Sequence, residues 1–177
     1  MYSLKKLKDY LLLFIQLIDN VLSYLLSNTA NEKKLLRDLF KEKNIVYVDV
    51  GTNIGANLIF FSKYINIKKA YLFEPNLNCY KFLKSKFKSN KYTIINKGIG
   101  KEGIKKFYDY EISSQSSFFR RSNIFFKPLN NIKSTYRVNI IPFDKFFSKN
   151  IKVDFCKIDV EGMEFEVLKT MSNSLKK

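Results

Sequence analysis

The chain has 177 residues, 46% hydrophobic and 27% charged, the make-up of an ordinary globular protein rather than a disordered or fibrous one, and a single domain of that length buries roughly 70% of its unfolded surface. Its net charge of +16 comes from 32 basic and 16 acidic residues spread along the whole chain, a poor footprint for nucleic acid. Histidine is absent and only Cys79 and Cys156 occur, which disfavours triad hydrolases, zinc sites and disulfide frameworks and points to a reducing cytoplasm.

Apolar residues at 4, 7, 11, 14, 18, 21, 22, 25 and 26 predict an amphipathic helix over Leu4 to Leu26. Gln16, Asp19 and Asn20 break the apolar run Leu11 to Ile15 too soon for a transmembrane span or a signal peptide. The pattern favours a helix packed on the domain, while Lys5, Lys6 and Lys8 also suit contact with a membrane surface. A second helix is expected over 31–41, so residues 1–42 read as an N-terminal helical segment and 43–177 as the main domain.

The period then changes. Ile45 to Val50 is a β-branched and aromatic run followed at once by Gly51, the signature of a buried strand entering a turn. A helix over Asn53 to Tyr64, a strand over Ala70 to Phe73, a helix over Leu77 to Phe87 capped by Asn76, and a strand over Tyr92 to Asn96 follow. Such alternation predicts an α/β fold with parallel βαβ units. Ile104 to Tyr110 reads as a further strand, and Phe118 to Tyr136 has no clear period and is expected as a long loop. Strands over Arg137 to Ile141 and Val153 to Asp159 complete the pattern, with Asp144 expected to cap a short helix between them and a last helix over Phe165 to Leu175.

Asp49-Val50-Gly51-Thr52-Asn53-Ile54-Gly55 lies between a strand and a helix. Gly51 and Gly55 would let backbone pass close to a ligand, and Asn53 tolerates positive φ. The G-x-G-x-x-G arrangement that seats a pyrophosphate is absent, so the ligand implied is a nucleoside without a diphosphate. Glu74, in Phe73-Glu74-Pro75, falls 19 positions after Gly55, near the spacing at which an acid meets ribose hydroxyls. Singly, Asp49 reads as a helix N-cap or turn residue and Glu74 as an exposed acid before a proline that ends the strand. Both acids at the carboxyl ends of adjacent parallel strands favour nucleoside binding.

These segments, followed in order by Phe143-Asp144-Lys145-Phe146-Phe147 and by Lys157-Ile158-Asp159-Val160-Glu161-Gly162-Met163-Glu164-Phe165-Glu166-Val167-Leu168, resemble the hallmark segments of FkbM-type methyltransferases over residues 45–170. Ser116-Ser117 falls where that family often carries a serine pair. The resemblance implies a Rossmann-like class I methyltransferase fold with a mostly parallel sheet and S-adenosyl-L-methionine as methyl donor. The acceptors it implies are hydroxyls of sugars, glycans or other small metabolites. Asp49, Gly51, Asn53 and Gly55 would then line the methionine end and Glu74 the ribose. Asn76 and Gly98 would stand near the adenine. Family members often carry Ala at the position of Gly98 with an acid soon after, whereas here Lys101 precedes Glu102.

Transfer to a hydroxyl needs positioning and a base, for which Asp159 is the candidate, with Glu161 and Lys157 beside it at the mouth. The plain alternative is a Lys157 to Asp159 ion pair that only fixes a strand end. A nucleic-acid methyltransferase is the weaker enzymatic reading, because Asp159-Val160-Glu161-Gly162 is not the Asn/Asp-Pro-Pro-aromatic turn of base-methylating enzymes. The family's fold continues with strands beyond the last helix, so the resemblance leads one to expect a C-terminally truncated chain. Its cofactor half would be present and part of its acceptor wall absent, and an inactive cofactor-binding module is the third reading.

Overall fold

The computed structural model describes residues 30–41, 43–120, 131–147 and 151–176. The helix expected over Leu4 to Leu26, with its packing and membrane readings, lies outside them. Two compact units divide the chain, 1–41 and 42–177. In the first, helix α1 spans Ala30–Phe40, with Arg37 in its last turn, where a cation meets the carbonyl end of the helix.

In the second unit, β1 (Asn44–Val50), β2 (Asn66–Phe73), β3 (Tyr92–Ile95) and β7 (Phe155–Ile158) form a sheet of order β3-β2-β1-β7, parallel throughout. Strand β1 is central and buried on both faces from Tyr47 to Val50, which is why it reads as an unbroken apolar run rather than an alternation. A second sheet, β4-β6-β5, joins β4 (Gly98–Ile99), β5 (Gly103–Tyr110) and β6 (Ile132–Ile141), with β5 and β6 antiparallel. The mostly parallel α/β architecture expected from the alternation is therefore present, with an antiparallel pair beside it.

The two faces of β1 divide the core. Val48 and Val50 pack with Phe73, Ile99, Phe143, Phe147, Val167 and Met171, which brings α4 (Phe143–Phe146) and α5 (Glu164–Lys169) onto one face. Tyr47 points to the other face, where its ring meets Phe61 of α2 (Ala56–Phe61) edge-on at 5.8 Å. Each fully buried Val or Phe contributes about 1.5–3 kcal/mol by leaving water. Helix α3 (Leu77–Lys86) buries Cys79 and Leu83.

Several boundaries differ from expectation. Helix α2 starts at Ala56 rather than Asn53, because Asn53 (φ 50°) and Gly55 (φ 83°) are left-handed and cannot continue a helix. Strand β2 begins at Asn66, four residues before the expected start, where Asn66 pairs with Asn44 in the β1 ladder. The expected loop over Phe118 to Tyr136 gives way to strand at Ile132, since β5 supplies an antiparallel partner as far as Tyr110↔Ile132. Asp144 does not cap α4, whose N-cap is Pro142. Its carboxylate accepts instead from the N–H groups of Asn173 (2.8 Å) and Ser174 (3.0 Å) and from the Ser174 hydroxyl (2.6 Å). The expected helix over Phe165 to Leu175 is accordingly α5, ending at Lys169, and a separate 3₁₀ turn, Ser174–Lys176. The strand expected over Val153 to Asp159 is confined to Phe155–Ile158.

Candidate functional site

The carboxyl ends of β1, β2 and β7 lie level, because Val50 pairs with Phe73 on one side and Ile158 on the other. A cleft of about 100 Å³, open to solvent on one side, is set there. Val50, Phe73, Ile99, Phe107, Phe118 and Met163 form its apolar walls, and Asn53, Glu74, Lys97, Ser113, Ser116, Asp159 and Glu161 add polar groups.

Glu74 is the buried acid of the cleft, 5% exposed. Its Oε2 accepts from the Asn53 N–H at 2.6 Å and its Oε1 from the Asn76 N–H at 2.7 Å. Burial pushes its carboxyl up to about 7, against the pull of those two donors and of Lys157, while Asp49 adds to the rise. The side chain of Asn53 is also engaged, accepting from the Ser113 hydroxyl at 3.1 Å.

Asp49, expected at the methionine end, and Lys157, expected at the mouth, lie behind the cleft wall. Asp49 is wholly buried with an oxygen 3.3 Å from Lys157 Nζ. Burial raises its carboxyl above the usual range, and Lys157 opposes that rise. Burial, with Asp49 beside it, also drives the Tyr47 phenol far above its ordinary value. The Lys157 ammonium donates to the Gly51 carbonyl at 3.0 Å and stands 3.3 Å from Asp159, so one cation ties the ends of β1 and β7 together. The strand-end ion pair is thus present, and it includes a second, buried carboxylate. Asp159 itself lines the cleft with its side chain 61% exposed, next to Glu161. Glu164 holds this turn by accepting from the N–H groups of Val160 (3.1 Å) and Gly162 (3.1 Å).

The glycines are explained by protein packing. A Cβ on Gly51 (φ 83°) would run into the Asp159 carbonyl oxygen, so close approach of β7 requires glycine there. Gly55 lies outside the lining, and a Cβ on it would stand 2.8 Å from the Phe87 ring. Gly98 lines the cleft, and its Cβ would stand 2.6 Å from Ile140 Cδ1 and 3.0 Å from Phe118 Cζ. Asn76 is behind the wall as the N-cap of α3, its side chain accepting from the N–H groups of Asn78 and Cys79. Glu102, the acid following Lys101, is engaged at the surface with Lys145 at 2.6 Å.

Sequence reasoning passed over Lys97, Ser113, Phe118 and Met163 in the lining and the buried acid Asp109 behind it. For Asp109 a signal existed. It shares the inward face of β5 with buried Phe107, an unusual place for a carboxylate.

Residues 49–177 match the family model described as the methyltransferase FkbM domain. No curated protein matches the chain. The crystal structure of methyltransferase FkbM from Methylobacillus flagellatus KT is similar with 20% identity and a TM-score of 0.48, over 75% of this chain and 30% of that one. A Listeria monocytogenes protein described as an S-adenosylmethionine-dependent methyltransferase is similar with 21% identity and a TM-score of 0.31, over 46% of this chain and 37% of that one. The chain therefore spans about a third of the length of these structures.

Proposed function

Since this chain belongs to the FkbM methyltransferase family, we propose that it binds S-adenosylmethionine in the cleft and directs its methyl group to a hydroxyl of a sugar, glycan or other small metabolite. The observation that carries the reading is Glu74, a buried carboxylate lining a cleft of mixed apolar and polar walls at the ends of parallel strands. The residues fit the cofactor. Each Glu74 oxygen, already fixed by one backbone N–H, keeps a lone pair for a ribose hydroxyl. Phe73, Ile99, Phe107 and Phe118 offer apolar surface to a flat ring, and Asp159 and Glu161 place negative charge at the opening, complementary to a sulfonium.

The bound cofactor supplies an electrophilic methyl group. Glu74 would hold it in register, and the apolar walls would exclude water that competes with the acceptor. Asp159, at the mouth, is the group placed to take the acceptor's hydroxyl proton, with Lys157 steadying its carboxylate from behind. Titration calorimetry with S-adenosylmethionine is the test. Micromolar binding that weakens at least about 10-fold in Glu74→Ala supports the reading, and no heat of binding with the unaltered chain would sink it. Radiolabelled transfer to a panel of hydroxylated sugars then separates an active enzyme from a module that only binds.

A further inference from the structure

Behind the cleft lies a buried polar cluster that none of the roles above uses. Asp109 is 3% exposed and does not line the cleft. Its Oδ1 accepts from Asn76 Nδ2 at 2.5 Å and from the Ser116 hydroxyl at 3.1 Å, and its Oδ2 lies 3.4 Å from both Asn78 Nδ2 and the Ser134 hydroxyl. All four neighbours are used as donors, and a carboxyl side chain offers two oxygens to accept from them. The N-terminus of α3 faces the same carboxylate through Asn76 and Asn78, and the helix dipole favours negative charge there.

The two Oδ1 partners, 3.4 Å from each other, both border the site. Asn76 is the residue whose backbone N–H holds Glu74, and Ser116 lines the cleft directly. By taking the Asn76 amide N–H, Asp109 also forces the amide oxygen toward the N–H groups of Asn78 and Cys79, so the cap and the grip on Glu74 share one orientation. We infer that Asp109 is the positioning residue of the cofactor site, setting Glu74 through Asn76. This rests on the cofactor reading above and adds to it a residue that touches no ligand.

The test is a double-mutant cycle on the full chain, with S-adenosylmethionine affinity measured by calorimetry from pH 6 to pH 8.5. Asp109→Asn puts an amide donor against donors, and affinity at pH 8 should fall about 10-fold. In Asn76→Ser, which keeps the Asp109 carboxyl, the pH at which affinity is half-lost should rise, because Glu74 is then held less firmly at position 76 while its other neighbours, Asp49, Lys157, Cys79 and Tyr136, are unchanged. In a Glu74→Gln background, Asp109→Asn should change affinity less than about 2-fold. Equal losses in both backgrounds, or an unmoved midpoint, would overturn the inference, whereas no binding by the unaltered chain removes the cofactor reading beneath it. If Asp109→Asn does not fold, Asn76→Ser keeps a capping oxygen and deletes the amide donor. It should show the same loss of affinity, and unchanged affinity would refute the positioning role.

Discussion

Replacing Glu74 with glutamine removes a proton-binding site that folding has shifted. Its ordinary value is 4.5 and burial takes it to about 7 in the folded chain. The folded state therefore holds this proton more tightly than the unfolded state. The stabilisation from it is complete below pH 4.5, declines as pH rises, and is gone above about pH 7. An interval of that width corresponds to about 3 kcal/mol. Glutamine cannot titrate, so the stability of the unaltered chain relative to Glu74→Gln should fall by about 3 kcal/mol between pH 4.5 and pH 8. Any constant cost of placing an amide NH₂ against the Asn53 or Asn76 N–H cancels in that difference.

Urea unfolding followed by circular dichroism, at five or so pH values across the window, measures it. A difference that stays flat with pH, or one in which the unaltered chain gains on the variant as pH rises, would refute the reasoning. The same proton governs ligand binding. If ribose hydroxyls donate to Glu74, the ionised form binds, and affinity should climb up to about 10-fold per pH unit below about pH 7 and level off above it.

Lys157→Met should cost about 3–5 kcal/mol in urea unfolding, because it strands the buried Asp49 carboxylate. Adding Asp49→Asn should restore much of the loss, and no recovery would mean that Lys157 acts through Gly51 or Asp159 alone. Asp144→Ala should cost about 1–2 kcal/mol and expose the chain around Ser174 to limited proteolysis, since three donors lose their acceptor. Although burial opposes it, hydrogen bonding from Ser174, Asn173 and Ser172 holds the Asp144 carboxyl below its ordinary range. Its stabilisation is therefore present above that range and lost as pH falls through the lowered value. Asp159→Asn should weaken S-adenosylmethionine binding by no more than about 10-fold, since Glu161 keeps one charge at the opening, yet reduce methyl transfer at saturating cofactor about 100-fold or more, and retained turnover would dismiss Asp159 as the base.

What the sequence determined by itself lies where signals are local. The unbroken run Ile45 to Val50, the Asn76 cap and the alternation of strand and helix follow from side-chain shape, capping chemistry and period, each read within about ten residues. They were enough to place Asp49 and Glu74 at adjacent strand ends, and the segments around them carry the family likeness.

Tertiary structure decided which way each group faces and what it meets. Asp144 binds a turn 30 residues away rather than its own helix. Gly51 is glycine because Asp159 passes over it, and strand β6 extends to Ile132 because β5 pairs with it. Asp109 reaches Asn76 across 33 residues. Such partners are chosen by how the sheets stack, and burial, which raises the carboxyl of Glu74 and hides that of Asp49, exists only once the chain has closed around them.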